Sequence, residues 1–325
     1  MIIQKSLKVK LYIAAFIVIL VITGANILAG YLSLPGPLQE KKCVVIKHGL
    51  SVEAMAKVLA EKNVISYPKL FEVIGEIYSL KNPLKSGEYE FTTGVSPLQV
   101  IRKLASGKSI IHKLVIPKGL MVAEIVEKLN NEELLEGAIS MPIPEGYLMP
   151  DTYYYSYGDK RENIVDEMRV KMSEALDDSM KNLSENSPIK SRKDLLILAS
   201  IIEKEAGNDL EKPRIAAVFL NRLNKGMKLQ ADPTTIYAIT EGTNKLKRRL
   251  TKTDLKLASP YNTYYVLGLP PGAISCPGKK SIEAVAKPAK TDDLYFVING
   301  FGGHNFSKTI NQHNEYVQEL KNRLN

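Results

Sequence analysis

From Leu11 to Leu34 the chain runs through 24 residues without a single charged side chain, and Lys5, Lys8 and Lys10 stand just before them. At ~1.5 Å per residue such a helix spans about 36 Å, enough to cross a ~30 Å hydrocarbon layer with some tilt. Basic residues on the N-terminal flank hold residues 1–10 in the cytoplasm and send everything after Leu34 to the other side. The competing reading, a cleaved signal peptide, fits less well. The apolar run exceeds the ~7–15 residues of a typical signal core, and no A-x-A cleavage site follows it. The expectation is a retained single-pass anchor over 11–34. This bears on charge as well. The 44 Lys and Arg exceed the 35 Asp and Glu, for a net charge of +9, which suits nucleic acid, anionic lipid or an acidic polymer equally. An extracytoplasmic chain has no nucleic acid to meet, so that partner is set aside.

Pro35-Gly36-Pro37 ends the apolar helix, and the length beyond it is ample for two folded units. A pattern recurs in the first stretch. Gly49, Gly94 and Gly119 each follow a β-rich run (Cys43–Lys47, Tyr89–Thr93, Lys113–Pro117). Each precedes apolar residues at helical spacing: Met55, Ala56 and Leu59; Val100, Ile101 and Leu104; Ile125, Val126 and Leu129. Strand, tight turn and short helix make a unit whose repetition suits a binding module, or simply a small α+β core. Pro142 and Pro144 mark a boundary. Beyond it the spacing predicts helices over 160–183, from Leu195 to Ala206 with Asp194 as N-cap, and from about Pro213 to Lys225. Short β runs are expected at Tyr264–Leu267 and Leu294–Ile298.

Several familiar chemistries are missing. Gly107-Lys108-Ser109 resembles the end of a phosphate loop, but Arg102 occupies the position of its first glycine. Gly300-Phe301-Gly302 opens no predicted helix. His48, His112, His304 and His313 lack zinc-hydrolase spacing, and Cys43 and Cys276 are too few and too distant for a disulfide scaffold or a zinc ribbon. No metal and no cofactor are called for.

The strongest local anomaly is Leu195-Leu-Ile-Leu-Ala-Ser-Ile-Ile-Glu203-Lys204-Glu205, a core helix that ends in two carboxylates. At about 100° per residue Glu205 falls between Leu198 and Ile201 on the apolar face, whereas Glu203 lies beside Leu196. A carboxylate on an apolar face is desolvated and its pKa rises, as a general acid requires. The plain alternative is that both glutamates lie past the buried part and are solvated. A second set is Gln230, Asp232, Asn262 and Tyr264. These amides, hydroxyls and aromatics sit among turn-formers, in a mixture that suits sugar recognition or ordinary turn chemistry.

Taken in order, the motifs Glu145-Gly-Tyr-Leu-Met-Pro-Asp-Thr-Tyr153, Leu198-Ala-Ser-Ile-Ile-Glu-Lys-Glu205, Val218-Phe-Leu-Asn-Arg-Leu223, Leu229-Gln-Ala-Asp-Pro-Thr234, Tyr261-Asn-Thr-Tyr264, Gly268-Leu-Pro-Pro-Gly-Ala273 and Gly302-Gly-His-Asn-Phe306 resemble the YceG-like endolytic murein transglycosylases. The resemblance implies an α+β chain with a transmembrane anchor, a small LysM-like β–α glycan-binding module over 43–130, and a larger mixed α/β catalytic domain over 140–325. It implies Glu205 as the single catalytic carboxylate, cutting the bond between N-acetylmuramic acid and N-acetylglucosamine within nascent strands and leaving 1,6-anhydro ends, so that strand elongation terminates. Gln230, Asp232, Asn262 and Tyr264 are then the substrate-positioning candidates, and Asp232 the second carboxylate if the reaction is hydrolysis. The implied partners are peptidoglycan strands, the membrane, and the machinery of wall synthesis and division. Two rivals remain: a wall-binding scaffold without catalysis, and a peptidoglycan hydrolase.

Overall fold

The computed structural model describes residues 2–140, 142–243 and 246–324. Helix α1 (Ile2–Ser33) contains the apolar segment Leu11–Ser33, whose side chains from Leu11 to Leu28 are exposed. Its length and composition suit a membrane span. The chain divides into two compact units, residues 1–112 with 156–158, and residues 113–155 with 159–325.

In the first unit strand β1 (Lys42–Ile46) is followed by helices α2 (Val52–Glu61) and α3 (Pro68–Ser79), strand β2 (Gly87–Phe91) and helix α4 (Pro97–Ser106). The two strands pair antiparallel with Val44 opposite Tyr89. Gly49 and Gly94 adopt positive φ at the turns between strand and helix. Ser51 and Ser96 cap the helices that follow, and Gln99 completes a capping box. Met55, Ala56, Leu59, Val100, Ile101 and Leu104 are all buried, as the repeat demands. Helix α3, which the repeat does not contain, closes the same core through Phe71.

The third strand–glycine–helix unit, β3 (His112–Val115) and α5 (Val122–Asn130), keeps the expected local form, with Gly119 at φ 75°. It packs elsewhere, however. Leu114, Ile125 and Leu129 share a core with Tyr153, Ile164 and Met168 of the larger unit. The division between units therefore falls at 112/113. Strand β3 pairs with β4 (Thr152–Tyr155).

The rest of the larger unit is mainly helical: α6 (Arg161–Met180), α7 (Arg192–Glu205), α8 (Lys212–Asn224), α9 (Asp232–Thr240) and α10 (Lys279–Ala286), then the antiparallel ribbon of β5 (Tyr295–Ile298) and β6 (His304–Ser307), and α11 (Ile310–Leu324). Tyr264–Leu267 is a run of turns rather than the expected strand. Tyr265 and Leu267 are exposed, so the apolar pattern there has no sheet to enter.

At the centre lies α7. Ser191, not Asp194, is its N-cap. Its hydroxyl accepts from the Asp194 amide at 3.1 Å and donates to the Asp194 carboxylate at 2.8 Å. From Leu195 to Ile202 every residue is buried. A helix buried all round has no solvent face, so its polar residues must find partners inside the protein or serve a site. Ser200 finds them. It donates to Ile197 O and accepts from Ile274 N.

Candidate active site

The last turn of α7 assigns different work to its three charged residues. The Glu203 side chain is 7% exposed and the Lys212 side chain 3%, and they form an ion pair at 3.0 Å. Glu203 also accepts from Gly278 N at 2.9 Å and from Ser281 Oγ at 2.6 Å. Its carboxylate is thus saturated, tying α7 to α8 and to the start of α10. Lys204 turns outward and donates to Gly119 O at 3.2 Å. Glu205 is half-buried, and among the described residues its carboxylate has no hydrogen-bond partner.

Burial is the main force on that carboxyl and the nearby negative charge of Asp232 adds to it. Arg222 partly opposes both, and the net result raises the Glu205 pKa from 4.5 to about 8. At neutral pH the group is mainly a protonated acid, the form that can deliver a proton to a leaving oxygen. What separates Glu205 from Glu203 is the absence of a hydrogen-bond partner among the described residues, rather than burial.

Asp232 opens α9, where the helix N-terminus favours a carboxylate, and it is exposed. Tyr264 donates its hydroxyl to Asp232 Oδ1 at 2.6 Å. Burial and that bond push the Tyr264 pKa upward, so the phenol stays protonated. Asp232, Tyr264 and Glu205 therefore lie within electrostatic reach of one another. Gln230 sits just before Asp232 with φ +50°, a left-handed conformation that costs a residue with a Cβ roughly 1–2 kcal/mol. Thr263 holds it there, by accepting from Gln230 N through its carbonyl and from Ala231 N through its hydroxyl. The Gln230 side chain is exposed.

Asn262 is placed differently. It is fully buried and its amide is used within the protein. Nδ2 donates to Leu255 O and Leu257 O, while Oδ1 accepts from Thr235 Oγ1 at 2.8 Å and Tyr264 N at 3.0 Å. Its place is behind the site, fixing the backbone that carries Tyr264. His304 is likewise held by the protein. Its Nδ1 lies 2.9 Å from Glu211 Oε2 and its backbone N–H donates to Glu211 Oε1.

One participant was not singled out from the sequence. Arg222 is 7% exposed, donates to Leu294 O and Leu229 O at 2.7 Å each, and lies over the Tyr295 ring. It is the buried cation that faces Glu205. The available signal was an arginine just after the apolar run Ile215–Leu220 of α8. Among the described residues no three His, Cys, Asp or Glu side chains come together as a metal-binding group.

The model of the YceG-like family matches residues 44–319, which takes in every residue of this site. The chain belongs to the YceG-like family. It is 31% identical over 330 residues to the endolytic murein transglycosylase of Bacillus subtilis, covering 91% of this chain and 90% of that protein. The endolytic murein transglycosylase of Streptococcus pneumoniae serotype 2 is 28% identical over 346 residues. It is longer, so the match covers 90% of this chain but 61% of that one. Among solved structures, the 2.6 Å crystal structure of a YceG-like protein from Listeria monocytogenes is similar, with a TM-score of 0.52 and 33% identity. That similarity covers 85% of this chain and 98% of the Listeria chain.

Proposed function

We propose that this YceG-like protein is a membrane-anchored endolytic murein transglycosylase and that Glu205 is its catalytic acid and base. The reading is carried by one observation. Glu205 is a half-buried carboxyl with no hydrogen-bond partner among the described residues and a pKa raised to about 8, set beside Asp232 and Tyr264.

The chemistry needs only one such group. Glu205 donates its proton to the oxygen joining N-acetylmuramic acid to N-acetylglucosamine, and the bond from C1 to that oxygen breaks. The 6-hydroxyl of the same muramic acid then bonds to C1 and returns its proton to Glu205. A 1,6-anhydro end forms, the acid is regenerated and no water enters. Because the nucleophile belongs to the substrate, proximity replaces the second carboxylate that most glycosidases use. Asp232 holds negative charge near the reacting centre, Tyr264 orients it, and Gln230 lies on the exposed rim beside them. Asn262 contributes by positioning Tyr264.

The remaining assignments follow from this reading. The first unit, with its two strand–glycine–helix repeats, is the LysM-like glycan-holding module. Helix α1 crosses the membrane with residues 1–10 in the cytoplasm, so the catalytic unit works outside, on strands emerging near the membrane. Cutting there terminates elongation, and the wall-synthesis and division machinery are the natural partners.

The test is mass spectrometry of peptidoglycan fragments after incubation with the full chain in detergent micelles, beside Glu205→Gln and Glu203→Gln. New internal anhydromuramyl ends that vanish with Glu205→Gln are expected. Reducible ends in their place would identify a hydrolase, with Asp232 as the second carboxylate. No new ends from folded protein would leave a wall-binding scaffold.

A further inference from the structure

Side chains from three of the motifs, none of them used by the chemistry at Glu205, converge at one place in the larger unit. Glu145 and Tyr147, Tyr261, and Pro271-Gly272-Ala273 line a cavity of about 400 Å³, with Lys193, Leu196 and Ile197 of α7 forming another wall. The volume falls within the ordinary range of small-ligand sites. The walls are closely built. Gly146 adopts φ +88°, and a Cβ there would lie 2.6 Å from that of Ala273. A Cβ on Gly272 would lie 2.8 Å from the Tyr261 hydroxyl. Glu145 is held in place by Val122 N and Gly146 N at 3.1 Å each.

The polar groups at the mouth are unspent. Among the described residues the Tyr147 and Tyr261 hydroxyls and the Lys193 ammonium have no protein hydrogen-bond partner. The Glu145 carboxylate in the wall is taken up by Val122 N and Gly146 N, and the aromatic rings, apolar floor, free hydroxyls and Lys193 cation beside it fit a ring-shaped polar ligand that bears an acid. Its position matters too. Leu196 and Glu205 are nine residues apart on α7, about 14 Å along the axis. Tyr237 lies five residues along α9 from Asp232, which is beside Glu205, and its ring is 4.8 Å from that of Tyr261. The cavity thus stands a few sugar units along α7 from the reacting bond.

We propose that this cavity is a remote subsite for an acidic N-acetylmuramoyl unit of the strand. Tyr261 and Tyr147 contact the sugar, and Lys193 takes its carboxylate. The proposal rests on the glycan-cleaving reading above. The carboxylate has two sources, the lactyl arm of a peptide-free strand or the stem of a peptide-bearing one.

The test uses the full chain in micelles carrying Glu205→Gln, so that strands bind without being cut. Fluorescently labelled strands, either amidase-treated or peptide-bearing, are titrated against this protein and against versions with Tyr261→Phe or Lys193→Ala added. Each added substitution removes a polar contact, so Kd is expected to rise about three- to tenfold. A Lys193→Ala effect confined to amidase-treated strands identifies the lactyl carboxylate, and one confined to peptide-bearing strands identifies the stem. In the chain that retains Glu205 the same substitutions should raise KM and leave kcat unchanged, which a merely structural role would not do. Unchanged Kd on both strands overturns the subsite. Lys193 is exposed, so its variant reports even if Tyr261→Phe disturbs the fold. Failure of the cleavage reading shows separately, as no anhydro ends from the parent chain.

Discussion

Replacing Glu205 by glutamine should make the larger unit more stable, and increasingly so as pH rises. The carboxyl ionises near 4.5 in the unfolded chain and near 8 in the fold. Between those values the native state holds a proton that the unfolded state has lost, so stability falls as pH rises through this window. The ceiling is the difference of the two values at ~1.36 kcal/mol per unit, about 5 kcal/mol. Glu205 is only half-buried, and water reaching its charged form will relieve part of that, leaving about 2–3 kcal/mol. Glutamine keeps the shape and never ionises. The two proteins should therefore match below about pH 4.5 and diverge up to about pH 8, after which the gap stays constant. Urea unfolding of the full chain in micelles gives the difference, read by tyrosine fluorescence because the chain has 16 tyrosines and no tryptophan. A gap that does not change with pH would refute the claim that Glu205 is a desolvated acid, and with it the basis for the catalytic role proposed for it.

Asp232→Asn removes the like charge that helps raise the Glu205 pKa, so the alkaline fall of kcat should move to lower pH. Burial is the larger cause, so the pKa should stay above its ordinary 4.5, as a pH profile of anhydro-end formation will report. Glu203→Ala strands the buried Lys212 with Asp209 as its remaining ion-pair partner, at 2.6 Å. It should cost about 3 kcal/mol in denaturant unfolding, while protein that stays folded still forms anhydro ends. Gly146→Ala combines a left-handed backbone with a steric clash against Ala273 and should cost about 2–4 kcal/mol by thermal unfolding.

Periodicity carried the local structure a long way. Glycine punctuation and helical spacing located α2, α4 and α5, and the apolar run of α7 announced a buried helix, because these patterns reflect conformational preference and burial over a few residues. Which core each element enters lies outside such patterns. Residues 113–130 repeat the local form of the first two units, yet their apolar side chains meet Tyr153 and Met168, residues distant in sequence. The helical wheel ranked Glu205 above Glu203 for facing an apolar stripe, but α7 has no polar side on which the contrast could rest. The two carboxylates are told apart by Lys212, Gly278 and Ser281, which satisfy Glu203, whereas Glu205 has no hydrogen-bond partner among the described residues. Asn262 looked equivalent to Gln230 in composition. Only the packing shows that its amide is consumed in holding the Tyr264 turn, whereas Gln230 is strained and open. The chain's order of residues thus decided its apolar N-terminal helix, its other helices and the short list of chemical groups. The fold decided which of those groups was deprived of partners and water, since desolvation and hydrogen-bond satisfaction depend on neighbours that the linear chain does not reveal.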